Sequence, residues 1–294
     1  MENPSPLRYP GGKFKLSKLV ELVIGKAGDK CTTYIEPFAG GAAIAIDLLL
    51  RNVVTNIVIN DLDRNIYSFW KACVEDSDNF IDRIYYTPVN LDVWKKQREI
   101  YRAGGKYSLD LAFATFFLNR TNHSGILSSG PIGGMAQEKW KLDVRYSKDI
   151  LIRKVKSIGA RRRSIKVYNR DVFSLIRNQV SAYGENALIY FDPPYYIRGS
   201  ELYKNFFTEE VHGRLSNSID KDVTSPWIVS YDDVPEICKL YELFPVKHFH
   251  LGYSLANNGK GKEVMFFKDE RLMPSDDEIK SLKLGYVFDL ETLA

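Results

Sequence analysis

The chain has 294 residues, 45% of them hydrophobic, and a formal net charge of +4; this is enough for a full α/β core with a second, smaller domain, and no run of about eighteen apolar residues is present to span a membrane. The opening stretch MENPSPLRYPGGK lacks the apolar core of a signal peptide, so a cytoplasmic protein is expected. Cys31, Cys73 and Cys238 are isolated, and His123, His212, His248 and His250 follow no ligand spacing, which argues against a disulfide framework and against a metal site.

In chain order, a Pro/Gly loop over 3–12 precedes a helix near 14–27. TYIEPF, 33–38, reads as a strand entering a loop, and AGGAAIAIDLLLRN as a tight turn and a buried helix. NIVIND, 56–61, is a short buried strand, followed by an amphipathic helix from about Asp63 to Val74. Residues 77–160 change character. Helical periodicity recurs over 77–85, 90–103 and 108–119, then come the Gly/Ser/Asn-rich NRTNHSGILSSGPIGGMAQ and a basic helix over 147–158. From 164 the alternation resumes with SIKVYN, a helix over 172–182, ALIYF, a helix over 208–220, PWIVSYD and a helix over 234–243. VKHFHLGYSL and KEVMFFK, joined by ANNGKG, read as a hairpin. A mostly parallel sheet closed by an antiparallel pair is therefore expected, interrupted by a helical insertion. The boundaries are 1–76 and 161–294 for the α/β domain and 77–160 for the insertion.

Charge is unevenly placed. From Lys139 to Arg170 there are twelve Lys/Arg against two Asp/Glu, a local +10, so the rest of the chain carries −6. Such a run is either a solvated helix face or a surface that meets phosphates.

Three short stretches carry chemistry. In EPFAGG, 36–41, a strand ends, a glycine pair turns and a helix begins, so backbone can come close to a ligand. The stretch is neither a dinucleotide fingerprint nor a P-loop. Asp61 ends the next strand, where an acid typically holds ribose hydroxyls. Glu36, Gly40, Gly41 and Asp61 together point to an adenosine-bearing cofactor without a pyrophosphate. The third stretch, IYFDPPYY, ends a buried strand on Asp192, stiffens it with Pro193 and Pro194 and adds Tyr195.

RYPGGK at 8–13, EPFAGG at 36–41, IND at 59–61 and DPPY at 192–195, in that order, resemble the Dam-type DNA adenine-N6 methyltransferases from about residue 4 to 268. The resemblance implies a Rossmann-like fold, S-adenosylmethionine as methyl donor, and a DNA-recognition domain between the second strand and DPPY. It places Tyr9 and Lys13 in the cofactor pocket with Glu36, Phe38, Gly40 and Asp61, puts Asp61 on the ribose, and sets Asp192 near the methionine amino group. A further contact to the cofactor adenine is expected from Asp171. Catalysis falls to Asp192, Pro193, Pro194 and Tyr195. Asp192 and the Pro193 carbonyl would accept hydrogen bonds from adenine N6 and aim its lone pair at the methyl group, while Tyr195 offers a stacking face to a base flipped out of the duplex.

NRTNHSG resembles the Asn-Arg segment of that family's recognition domain. Asn119, Arg120, Asn122, His123 and Ser124 can read base edges, or several of them can cap the helix ending near 119. Arg161 and Arg162, with some of Lys139, Lys141, Arg145, Lys148 and Arg163, are expected on DNA phosphates. YIRGSELYKNFF, 196–207, reads as a lid over the base pocket, with Arg198 or Lys204 on a phosphate, or as an ordinary surface loop. The expected partner is double-stranded DNA, the expected state a monomer of bacterial or phage origin. A separately acting restriction endonuclease is left open, as is the recognition sequence. Methylation of RNA or of cytosine N4 and a catalytically idle DNA-binding module are the rival readings.

Overall fold

The computed structural model describes residues 2–9, 12–196, 207–252 and 260–282. Seven strands among them form one sheet: β1 (Thr33–Glu36), β2 (Asn56–Asn60), β3 (Ile165–Tyr168), β4 (Ala187–Phe191), β5 (Trp227–Asp232), β6 (Val246–Gly252) and β7 (Lys260–Phe267). Their order is β3-β2-β1-β4-β5-β7-β6, with β1 to β5 parallel and β7 antiparallel to both neighbours. This is a mixed α/β sheet of Rossmann-like, mostly parallel build, closed by the expected antiparallel pair.

The strands read as unbroken apolar runs because both faces are covered. Ile57 and Ile59, Leu188 and Tyr190, Ile228, and Met265 and Phe267 enter one core. Ile35, Val58, Ile189 and Phe191, Val229 and Tyr231, and Val264 and Phe266 enter the other. The second face is covered by α8 (Val172–Asn178), α9 (Glu209–Asp222) and α10 (Pro235–Leu240). The helix expected over 172–182 stops at Asn178 and continues as a single 3₁₀ turn at Val180–Ala182.

The first face carries α1 (Ser17–Ala27), α2 (Ala43–Leu50) and α3 (Arg64–Glu75). Packed onto them are α4 (Ser77–Tyr86), α5 (Leu91–Ala103), α6 (Leu109–Thr121) and α7 (Lys148–Gly159). Asp63, Asn90 and Ser108 cap α3, α5 and α6 by accepting from backbone N–H groups of the first turn. α6 is apolar nearly all round and lies in the middle of the layer, its Phe116 stacked on Phe69 of α3 with ring centroids 6.0 Å apart. Residues 77–160 therefore share one continuous hydrophobic core with the α/β layers. A last helix, α11 (Asp276–Ser281), begins with a capping box between Ser275 and Glu278.

Candidate active site

β1 and β2 neighbour each other on one side of the sheet centre, and β4 and β5 lie on the other, so the chain reverses its direction of growth between β1 and β4. Ligand crevices open at such a point, beyond the carboxyl ends of the strands. A cleft of about 820 Å³ lies there, within the ordinary range for small-molecule sites. Tyr9, Lys13, Glu36, Phe38, Gly41, Asp61, Asp171, Asp192 and Pro194 all line it, so the structure brings the separate sequence motifs into one space.

The glycine turn is held from both sides. Gly40 has φ +46°, and a Cβ there would lie 2.6 Å from the Tyr9 ring. Its N–H donates to Asp61 Oδ2 at 2.9 Å, and its carbonyl accepts from the Trp70 indole at 2.8 Å. Asp61 Oδ1 also accepts from the Asp63 N–H at 2.8 Å. Burial outweighs these hydrogen bonds and pushes the Asp61 carboxyl up to about 7. Glu36 accepts from the Ala45 N–H at 3.2 Å, in the first turn of α2, and burial pushes its carboxyl up to about 8. Asp171 caps α8 through the Ser174 N–H at 2.9 Å while its residue still faces the cleft.

On the other side stands Asp192, its side chain 27% exposed. Ser230 of β5 donates to its Oδ1 at 2.9 Å, and the Tyr190 hydroxyl lies 2.7 Å from Ser230 Oγ. Burial pushes the Asp192 carboxyl up, while Lys13 and the Ser230 hydrogen bond pull the other way. Lys13 Nζ lies 3.8 Å from Asp192 Oδ1, donates to the Tyr195 hydroxyl at 3.1 Å, and makes an ion pair with Glu263. Lys13 is thus a buried cation beneath the DPPY turn as well as a wall of the cleft. The Tyr195 hydroxyl faces inward to Lys13 and Glu263, and the residue is only 8% exposed. Phe207 lines the cleft beside Pro194, its ring edge-to-face with Phe38 at 5.8 Å.

Sequence reasoning missed Glu263 and Ser230, whereas Phe207 ends the 196–207 stretch read as a lid. A lone acid directly before the apolar run VMFF was the one signal for Glu263.

The recognition segment is arranged differently from the expectation. Residues 121–123 and 130–132 pair antiparallel around an Asn122–Pro131 bridge, and Gly125, Ile126, Leu127 and Ser128 at the tip line the cleft. Asn119 is buried: its amide oxygen accepts from the Arg8 N–H at 2.7 Å, and its NH₂ donates to the Arg8 and Gly125 carbonyls at 2.7 and 2.9 Å. Asn122 is buried too. Its oxygen accepts from the Trp94 indole at 2.8 Å, and its NH₂ donates to the Ile126 and Leu127 carbonyls at 3.0 Å each. Both amides spend their two donor hydrogens and an acceptor on the protein. Asn119 also lines the cleft, but both amides are held by the protein, so they shape the tip and have no free N–H to offer a base edge. Ser124, at φ +54°, turns the backbone into that tip.

Arg120 donates through Nε and Nη2 to the Arg145 carbonyl. Burial and the neighbouring Arg8 and Arg145 lower its guanidinium to about 10, and burial with Arg145 also lowers that of Arg8. The Arg8 side chain likewise donates to a backbone carbonyl, that of Asn122, at 3.1 Å. Arg161, Arg162 and Arg163 are elsewhere. They precede β3, and Arg161 donates to Asn52, which precedes β2. This is the amino-end edge of the parallel strands, opposite the cleft, so Arg161 and Arg162 do not join the site. Arg198 and Lys204 lie outside the described residues.

A family described as D12 class N6 adenine-specific DNA methyltransferase matches residues 9–252. The type II methyltransferase M.MjaIII of Methanocaldococcus jannaschii is 23% identical over 273 aligned residues, covering 84% of this chain and 91% of the relative. Among solved structures, the rRNA methyltransferase aviRa from Streptomyces viridochromogenes is 14% identical and covers 88% of this chain and 86% of its own. Its TM-score of 0.40 is too low to bear on the substrate.

Proposed function

The chain belongs to the D12 class N6 adenine-specific DNA methyltransferase family, and from that premise we propose how its residues divide the work. Its reaction places a methyl group on N6 of adenine in DNA. The donor is of the S-adenosylmethionine type, and we assign it to the side of the cleft built from Tyr9, Glu36, Phe38, Gly40 and Asp61.

The carboxyl groups support this assignment. Glu36, Asp61 and Asp192 all line the cleft, and burial raises all three. A cationic donor compensates such desolvated acids, whereas an anionic nucleotide would be repelled by them. Asp61 keeps lone pairs beyond the two used by Gly40 and Asp63, enough to accept from ribose hydroxyls. When bound, the donor supplies a methyl group on a sulfonium, already an activated leaving group.

The remaining chemistry belongs to the DPPY turn. Adenine N6 is a weak nucleophile because its lone pair is delocalised into the ring. Asp192 and the Pro193 carbonyl accept from that NH₂ and favour a tetrahedral nitrogen aimed at the methyl group, so the protein acts by alignment and electrostatics. Ser230 holds one Asp192 oxygen in place. The target base must leave the duplex to arrive there. Pro194, Phe38 and Phe207 give it an apolar wall. Residues 77–160 supply target recognition through the 125–128 tip, with Arg8, Arg120 and Arg145 drawing in a phosphate.

The single observation that carries the reading is that Asp192 shares one cleft with Glu36 and Asp61. The test is transfer from tritiated S-adenosylmethionine to duplex DNA, followed by digestion to nucleosides. Label in N6-methyldeoxyadenosine is expected. Label in N4-methylcytosine, or transfer to RNA in preference to DNA, would overturn the proposed site.

A further inference from the structure

Glu263 stands near the start of β7, followed by the apolar run Val264 to Phe267, and is 2% exposed. Because β7 is antiparallel to β5, Glu263 falls opposite Asp232 at the carboxyl end of β5. That edge of the sheet carries the catalytic turn, although Glu263 is 68 residues beyond Tyr195 in the chain. Glu263 Oε1 accepts from the Tyr195 hydroxyl at 3.0 Å, and Oε2 accepts from Lys13 Nζ. Lys13 also donates to the Tyr195 hydroxyl at 3.1 Å, which closes a ring of three side chains. From the same ammonium it is 3.8 Å to Asp192 Oδ1.

A buried ion pair is weak evidence for stability, because desolvation of the two charges offsets their attraction. Its geometry here suggests another use. Lys13 is 3% exposed on its side chain and has two carboxylates within reach. Asp192 can present its lone pairs to a substrate amino group only if Lys13 is satisfied elsewhere. Glu263 satisfies it and at the same time pins the Tyr195 hydroxyl at the end of the DPPY turn.

We propose that Glu263 is a positioning residue for methyl transfer: it draws Lys13 away from Asp192 and locks Tyr195, and so keeps the Asp192 carboxylate directed at the target amino group. The terminal hairpin thereby becomes part of the catalytic apparatus. This rests on the assignment of Asp192 to the adenine amino group.

The test compares Glu263→Gln and Glu263→Asp in the full chain. Gln keeps the shape but not the charge, whereas Asp keeps the charge on a shorter arm. The proposal predicts that kcat falls by about tenfold or more in Glu263→Gln, with the KM for DNA and the Kd for S-adenosylhomocysteine within about threefold of wild type. Glu263→Asp should retain more kcat than Glu263→Gln. A purely structural part for Glu263 predicts the reverse order, or a joint loss of kcat, ligand affinity and melting temperature; either result would overturn the inference. So would a Glu263→Gln enzyme turning over within about twofold of wild type. A wild-type chain that transfers no methyl group to DNA would instead sink the assignment of the site, and the inference with it.

Discussion

Asp61 and Gly40, 21 residues apart in the chain, are joined by a 2.9 Å hydrogen bond from the glycine N–H to the aspartate Oδ2. The bond ties the end of β2 to the turn after β1, so one side chain both shapes the glycine turn and faces the cleft.

Asp61→Ala should therefore have two effects. Loss of a charged acceptor for ribose hydroxyls costs about 1.5–3 kcal/mol, roughly a ten- to hundredfold weaker complex with S-adenosylhomocysteine. Loss of the acceptor for Gly40 costs a further ~1 kcal/mol of stability. Calorimetry and denaturant unfolding measure the two separately. An unchanged ligand constant would mean that the ribose lies elsewhere.

The raised carboxyl groups make stability depend on pH. Glu36 is pushed up to about 8 and Asp61 to about 7, above their ordinary carboxylate range. Their contribution is full below that ordinary range and is lost as pH rises through the folded values. The ligand-free chain should melt about 5 °C lower at pH 9 than at pH 6.5. Glu36→Gln should flatten much of that decline. A melting temperature that does not fall over this interval would show that both acids ionise without penalty.

Asn119→Ala and Asn122→Ala should act through the fold. Each removes a buried amide that satisfies several backbone or indole groups, at a cost of about 2–4 kcal/mol. Where the variant still folds, affinity for preferred and scrambled duplexes should drop together. Selective loss at the preferred duplex, with stability unchanged, would restore these residues as base readers.

Much of this site could be read along the chain, and the limit is physical. The strands were legible because a sheet covered on both faces needs unbroken apolar runs. Asp61 and Asp192 were legible because each stands just beyond the carboxyl end of such a run. Glu263 was not, since its partner Lys13 lies 250 residues away and a single acid in a strand reads as solvent-facing. The work of Asn119 and Asn122 was hidden for a related reason. A polar side chain in a Gly/Ser-rich segment looks free until the backbone carbonyls it serves are brought to it. The arginines after α7 misled because charge density along the sequence says nothing about which edge of a sheet it will occupy.

Salt dependence separates the two groups of basic residues. Removing one cation that neutralises a phosphate should flatten the slope of log K against log salt by about 0.9. Neutralising Arg161, Arg162 and Arg163 together should leave the slope on duplex DNA at its wild-type value, because they lie on the edge away from the cleft. Arg145→Gln should flatten it by about 0.9, the effect of a single phosphate. The opposite pattern would move the DNA to the other edge of the sheet.

The most direct measurement is methyl transfer by Asp192→Asn, with S-adenosylhomocysteine affinity recorded on the same preparation. Asn keeps the size of the side chain and an acceptor for Ser230, but its NH₂ turns a donor toward the adenine amino group. A wild-type melting temperature, retained binding of S-adenosylhomocysteine and turnover reduced by about a hundredfold or more are expected. A variant that binds the ligand and still methylates adenine at more than about a tenth of the wild-type rate would contradict the central role given to Asp192.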